Sequence, residues 1–176
     1  MNDVWAMDFL SDKLFDGRPF RILTILDCHT REALASVART NFRACQVVAE
    51  PDRIVRQRGK PRSIRVDIGP EFAGRLLDQW AYLNKVELDF SRPGKPTERA
   101  RSATGPRTMA SAFIQAFNSR LRQECLNASW FLSMADAHDR INAWKIDYND
   151  ERPHSALGNL TPSAFAAQLK PARKVA

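Results

Sequence analysis

The sequence predicts an α/β domain built on a mixed five-stranded sheet, with the first three strands antiparallel and helices on its faces. Near the start of the chain, short apolar runs are separated by tight turns, which is typical of an antiparallel meander. Farther along, apolar runs alternate with stretches whose apolar residues recur every three or four positions. That alternation indicates strands interleaved with amphipathic helices.

The meander consists of three predicted strands joined by polar turns: Val4–Leu10, Phe20–Leu26 and Glu32–Ala38. An Asp-Gly pair at Asp16-Gly17 separates the first two, and such a pair between apolar runs is a strong hairpin signal. The polar stretch DCHTR, residues 27–31, predicts the second turn.

The middle of the chain alternates between helices and strands. We predict helices over Asn41–Gly59 and Pro70–Asn84, and strands over Arg62–Asp67 and Val86–Phe90. A break or kink is expected at Pro51, because proline lacks the N–H that an interior helical position donates.

The C-terminal half predicts a long loop over Ser91–Ser111, followed by helices. Apolar spacing indicates helices over Met109–Leu126 and Ser133–Tyr148, the second capped by Ser133. A short helix is predicted from Thr161, with Pro162 at its first position. We expect the four tryptophans to lie in the core: Trp5, Trp80, Trp130 and Trp144.

Composition narrows the class of protein. The 176 residues suffice for one domain with a full core. The start of the chain lacks a signal-peptide pattern, and no apolar run approaches the ~20 residues of a membrane span. Three scattered cysteines indicate neither a disulfide framework nor a zinc site, so a reducing, cytoplasmic setting is expected. The net charge of +7 favours a polyanionic partner such as nucleic acid.

Two aspartates occupy predicted strand positions that suggest a functional role. Asp8 lies inside an apolar strand, where a carboxylate is costly unless it is paired or binds a cation; alternatively, strand alternation points it to solvent. Asp67 ends the fourth strand, where sheets of this class bind ligands; alternatively, it caps the next helix. If their strands are adjacent, the two carboxylates can share a divalent cation.

Several strings together resemble a known family: WAMDF, DCHTREAL, DIGPEF, SRPGKPTE, AFNSRLRQECLN and YNDERPHSALGNLTPSAF. They resemble the catalytic core of bacterial insertion-sequence transposases of the third insertion-sequence family, within the retroviral-integrase superfamily. The resemblance implies a ribonuclease H-like fold and an Asp, Asp, Glu triad. It also implies two Mg²⁺ or Mn²⁺ ions that serve in cutting and joining DNA ends.

Carried onto this chain, the triad positions are Asp8, Asp67 and Gln115. The third departs from the family pattern, because a neutral amide stands where a glutamate is expected. Between Asp67 and Gln115 lie 47 residues, more than the family pattern has, so about a dozen, ARSATGPRTMAS, look inserted. We expect Asp8 and Asp67 to be the metal ligands and a second ion to bind weakly. Glu124 faces away along the helix and is not expected to replace the missing acid.

The basic residues are candidate DNA contacts. From Ser91 to Gln123 there are seven cations against one anion. Lys95 belongs to this segment, and Arg120 and Arg122 share the Gln115 helix, where they would contact phosphates or form a solvated face. Arg152 and His154, in the YNxxRPHxxL motif, either bind phosphate or attach the tail to the core.

The resemblance divides the chain into an integrase-type core, residues 1–147 with its basic loop near 91–111, and a C-terminal appendage, residues 148–176. It implies multimers on DNA, with a helix-turn-helix region or partner chain recognising the element ends. One hypothesis is an active, impaired enzyme for strand cleavage and transfer. The other is a non-catalytic DNA-binding remnant. A ribonuclease H-like nuclease on RNA–DNA hybrid is a weaker third.

Overall fold

The computed structural model describes residues 1–67, 74–91 and 106–169, apart from the side chains of residues 67, 91 and 106–108. Its sheet has the strand order β3-β2-β1-β4-β5. The strands are β1 Val4–Lys13, β2 Pro19–Asp27, β3 Ala33–Arg39, β4 Ser63–Asp67 and β5 Glu87–Ser91. The first three are antiparallel, whereas β4 is parallel to β1 and to β5. The predicted mixed five-stranded sheet is therefore confirmed.

Five α-helices accompany the sheet in the described part of the chain. They are α1 Ala44–Arg58, α2 Arg75–Asn84, α3 Pro106–Leu121, α4 Met134–Asp150 and α5 Pro162–Gln168. A π-helical turn, Arg122–Leu126, continues α3. Within those residues, none of the helices has the length and apolar character needed to cross a bilayer.

Strand alternation builds two apolar layers from the same strands. In β1, Val4 and Ala6 pack in the cluster that contains the α3 and α4 side chains, whereas Trp5 and Met7 pack with the α1 and α2 side chains. Successive strand residues point to opposite faces, so one strand serves both cores. Fully burying one such large apolar side chain contributes roughly 1.5–3 kcal/mol.

Local signals placed several boundaries correctly. The turn after β1 contains Gly17 at φ +86°, where glycine is unstrained, as the Asp-Gly hairpin predicts. Ser133 accepts a hydrogen bond from the Asp136 backbone N–H at the start of α4, and Thr161 caps α5 with Pro162 at its first turn. These caps satisfy backbone groups that the helix itself leaves open.

Two predictions made near prolines were wrong. The break at Pro51 is wrong, because α1 runs through it and buries it together with Val47 and Ile54. These residues form one helical stripe on the sheet, and its burial offsets the lost hydrogen bond. The predicted loop to residue 111 is also wrong at its end, because α3 begins at Pro106, a favourable first helical position. Residues 92–105 of that loop lie outside the described part.

Three of the four tryptophans are buried, as predicted. Trp130 is not: its side chain is 74% exposed and packs edge-on against Phe15, with 5.6 Å between the ring centroids. Between the π-helical turn and α4 the chain buries Phe131 and leaves the residues on either side of it, Trp130 and Leu132, exposed. The expected division at residues 147 and 148 falls inside α4, whose Tyr148 side chain is buried, and the two-part organisation stays a prediction.

Candidate metal and nucleic-acid site

Asp8 lies on β1 opposite Thr24 of β2, on the sheet face that α3 covers. Its side chain is partly buried rather than open to solvent. Carboxylate oxygen Oδ1 accepts the Phe9 backbone N–H at 2.8 Å, and Oδ2 accepts the Asn118 side-chain amide at 2.8 Å. These two hydrogen bonds fix the orientation of the Asp8 carboxylate.

Asn118 of α3 connects the Asp8 carboxylate with Thr24 of the neighbouring strand. It is 5% exposed, donates to Asp8 through Nδ2, and accepts the buried Thr24 hydroxyl on Oδ1 at 3.0 Å. Asn118 was not among the site residues predicted from the sequence. The available signal was its spacing, since it follows Gln115 by three positions and so shares a helix face with it.

Asp67 is the last residue of β4. Met7 and Val66 are paired in the parallel β1–β4 ladder, so Asp8 and Asp67 are the next residues on the two neighbouring strands. The Asp67 backbone also pairs with Ser91 of β5. Its side chain lies outside the described part of the structure, so its direction stays a prediction.

Gln115 is exposed on α3, on the side of the helix that lies along β4 and β1. Ser111, one turn before it, accepts a hydrogen bond from Arg65 of β4 at 3.2 Å, and Asn118, one turn after it, bonds Asp8. Residues three and four apart share a helix face. The helix therefore brings Gln115 to the region of the two strand aspartates, as the sequence positions imply.

The described acids supply no replacement for the missing carboxylate. Glu124 accepts the Trp144 indole N–H at 3.0 Å and forms an ion pair with Arg152, so it faces α4 and the tail. No group of three or more His, Cys, Asp or Glu side chains able to hold a metal occurs among the residues whose positions are described. Glu98, the one acid in the basic segment Ser91–Gln123, lies outside that part of the chain, and so does Lys95.

The candidate DNA-contacting cations occupy different environments. Arg122 is exposed and donates to the Ser11 carbonyl at 3.3 Å, on the Gln115 flank of the helix. Arg120 is exposed on the other flank. Arg152 donates to Asp147 at 2.6 Å, pairs with Glu124 and lies 5.4 Å from the Trp144 ring centroid. The Arg152 contacts are those expected of a residue that attaches the tail to the core.

His154 packs edge-on against Tyr148, with ring centroids 5.1 Å apart, and its backbone pairs with Leu160. Burial, followed by the charges of Arg120, Arg31 and Arg152, lowers the pKa of His154 below its ordinary value of 6.5. The imidazole is thus neutral near pH 7. Its Nε2 atom is buried and has no hydrogen-bond partner among the described residues.

Comparisons with known sequences match this chain to integrase core domains and to proteins of insertion elements. Two models described as "Integrase core domain" match the chain, over residues 1–96 and 84–162. The insertion element IS407 uncharacterized 31.7 kDa protein of Burkholderia multivorans is 44% identical over 95% of this chain and 56% of its own length. The insertion element IS476 uncharacterized 39.2 kDa protein of Xanthomonas euvesicatoria is 37% identical over 96% of this chain and 45% of its own length. The chain thus spans about half the length of these relatives.

Solved structures share the fold at low sequence identity. The simian T-cell lymphotropic virus intasome, in complex with the PP2A regulatory subunit B56 gamma, matches with a TM-score of 0.74 at 13% identity, over 99% of this chain and 58% of that one. The HTLV-2 integrase catalytic core domain in complex with magnesium, in its trimeric form, matches with a TM-score of 0.62 at 14% identity. The match covers 93% of this chain and 95% of that one. These likenesses establish a ribonuclease H-like, retroviral-integrase type of fold.

Proposed function

The chain belongs to the integrase core domain family, as its resemblance to insertion-sequence proteins predicted, and from this premise we propose that it is the catalytic-core part of a transposase. Its activity would be metal-dependent DNA strand cleavage and transfer, weakened by the Gln115 amide. The observation that supports this most directly is the β1–β4 register, in which Asp8 and Asp67 follow a paired Met7 and Val66 beneath α3.

The donor set fits one hard divalent cation. Asp8 offers an oriented carboxylate, and the two-residue period of a strand predicts that Asp67 faces α3 as Arg65 does. Mg²⁺ and Mn²⁺ prefer such oxygen ligands, and the HTLV-2 core with the same fold was solved with magnesium. Gln115 can add a carbonyl oxygen but no negative charge, so a second ion would be held more weakly than by a glutamate.

Each residue then has a distinct task. Asp8 and Asp67 would hold the ion, which would supply charge stabilisation at the phosphodiester. Asn118 and Thr24 keep the Asp8 carboxylate in one orientation, so that little reorganisation is needed on binding. Gln115 faces the same region and would accept a hydrogen bond from the attacking water or hydroxyl. Arg122, on the same flank, would contact the phosphate backbone.

A second candidate function is that of a DNA-binding remnant without catalysis. Two features of the sequence favour it: the amide at Gln115 and the long separation from Asp67. Charge loss at one of three metal-binding positions removes much of the attraction for the second ion of a two-metal site. The fold and its basic surface would persist in that case.

Mn²⁺ binding and strand cleavage together test the proposal. We would count bound Mn²⁺ by electron paramagnetic resonance in the chain and in Gln115→Glu, then assay both on DNA carrying the element ends. We expect one ion in the parent chain, tighter or additional binding in Gln115→Glu, and at least tenfold faster cleavage by that variant. Asp8→Asn should abolish both. Cleavage unaffected by Asp8→Asn and Asp67→Asn would refute the assignment, and a Gln115→Glu variant that binds two ions without cleaving would establish the remnant.

The partners follow from the same proposal. We infer DNA ends and target DNA as substrates, assembly of several copies on DNA, and recognition of the ends by a helix-turn-helix segment or partner chain. Two related folds support assembly, because one is described as an intasome and another as trimeric. Lys95, Arg120 and His154 complete the proposed DNA contacts, whereas Arg152 is paired with Asp147 and Glu124 and is assigned to attaching the tail. A cytoplasmic location suits a protein that acts on bacterial DNA.

A further inference from the structure

A cavity lies on the flank of α3 opposite Gln115. Its volume is about 200 Å³, and its walls come from β2, the turn after it, α3, the end of α4 and the tail motif. Four α3 residues line it: Phe113, Phe117 and Arg120 point about half a turn away from Gln115 at 3.6 residues per turn, and Ala116 points about 100° away. It is therefore separate from the Asp8 site.

Most of the cavity wall is apolar or aromatic, but its charged side chains are all basic and two of their nitrogen atoms lack hydrogen-bond partners among the described residues. Arg31, Arg120 and His154 line it, and no acidic side chain does. Arg31 Nη1 and His154 Nε2 are both buried without a hydrogen-bond partner among the described residues. A buried polar nitrogen without a partner costs roughly 1–3 kcal/mol. The Arg31 nitrogen is always a donor, and the His154 nitrogen is one in the Nε2–H tautomer or when the ring is protonated, so the pair indicates a ligand that accepts hydrogen bonds.

Arg31 is held in place for such a ligand. Its guanidinium carbon lies 3.2 Å from the Phe113 ring centroid, and its backbone adopts the left-handed conformation at φ 60°. The nearby Asp27 carboxylate is already used, because it accepts backbone N–H groups of Asn2 and His29 and pairs with Arg58. Arg31 forms no ion pair with a carboxylate among the described residues; burial lowers the pKa of Arg31, and the nearby Asp27 charge offsets this only in part.

We propose that this cavity binds a phosphate group of a DNA strand, through Arg31 and His154 inside and Arg120 at its rim. A cavity of about 200 Å³ is smaller than the roughly 300 Å³ at which drug-sized sites begin, so it suits a single anionic group. Arginine presents several donors to phosphate oxygens. That the phosphate belongs to DNA rests on the proposed function, whereas the anion site itself does not.

The three histidines make a direct test possible by proton NMR. We would follow the His154 ring resonance in metal-free buffer with chelator, at constant ionic strength, and assign it with His154→Gln. The probes are a 12-base-pair DNA duplex, inorganic phosphate and chloride. The DNA duplex should shift the resonance and raise its titration midpoint, because a bound anion stabilises the imidazolium. Chloride should not.

Two substitutions identify the site, and one serves as a matched control. Arg120→Gln, at an exposed position, and Arg31→Gln should each remove the shift and weaken DNA binding about tenfold or more, the effect of a lost charged hydrogen bond. Arg56→Gln makes the same charge change on α1, where the side chain is 79% exposed and pairs with Asp52. It should leave the shift intact.

The outcomes separate the sources of the anion. A shift with phosphate but not with DNA would overturn the DNA assignment. No shift with either, or a shift that survives Arg120→Gln and Arg31→Gln in folded protein, would overturn the site. Because no metal or cleavage is involved, a failure of strand transfer leaves this result unaffected, and the two proposals fail separately.

Discussion

Replacing Asn118 by alanine should loosen the Asp8 carboxylate and destabilise the fold. The change removes a hydrogen bond to a charged group, about 1.5–3 kcal/mol, and one to the Thr24 hydroxyl, about 1 kcal/mol. The Thr24 hydroxyl retains the Asp8 carbonyl at 3.2 Å, so it is not left without a partner. We therefore expect the free energy of unfolding to fall by roughly 2–4 kcal/mol.

A double-mutant cycle isolates the contact between the two side chains. Unfolding by urea would be measured for the parent chain, Asn118→Ala, Asp8→Ala and the double variant, in chelator so that no ion contributes. We expect a coupling energy of about 1.5–3 kcal/mol, the value of a hydrogen bond to a charged group. Ser119→Ala, at the exposed neighbouring position, should change stability by less than about 0.5 kcal/mol.

A coupling energy below about 0.5 kcal/mol would refute the argument. It would mean that Asn118 does not hold the Asp8 carboxylate, and the proposed preorientation of the metal ligand would lose its basis. The same outcome would leave the core position of Asn118 to be explained by its contact with Thr24 alone.

Further predictions concern pH, thiol reactivity and packing. The folded state holds the pKa of His154 below the unfolded value of 6.5, so the His154 contribution to the free energy of unfolding is complete above pH 6.5 and declines as the pH falls towards the folded pKa. His154→Gln should make the free energy of unfolding, measured in urea, depend less on pH between about pH 7 and pH 5. An unchanged pH dependence would contradict this. Burial raises the pKa of the Cys28 thiol to about 12 and also raises the pKa of the Cys125 thiol, so a thiol reagent at pH 8 should label one exposed site, Cys45, rapidly in the native chain; labelling that survives Cys45→Ser would argue otherwise. Phe117→Ala, at a 2% exposed core position, should cost roughly 3–5 kcal/mol of unfolding free energy, measured in urea, and a cost under about 1 kcal/mol would show that the core packing is misjudged.

Short-range patterns in the sequence were enough to predict the sheet and most helix ends. Alternation at every second residue specifies a strand, and spacing of three to four specifies a helix, because each backbone geometry repeats at that interval. The hairpin at Gly17 and the caps at Ser133 and Thr161 depend on residues within a few positions of each other. Strand patterns singled out Asp8 and Asp67, motif resemblance added Gln115, and the roles of all three stay predictions.

The tertiary structure decided what depends on residues distant in the chain. Asn118 and Asp8 are 110 positions apart, and Arg152 and Glu124 are 28 apart, so neither contact leaves a local pattern. The burial of Pro51 on the sheet overrode its usual effect, because packing energy outweighed one backbone hydrogen bond. Arg31 and His154 became neighbours of one cavity only through folding. Local spacing fixes which face a side chain takes, and only packing fixes which side chains it meets.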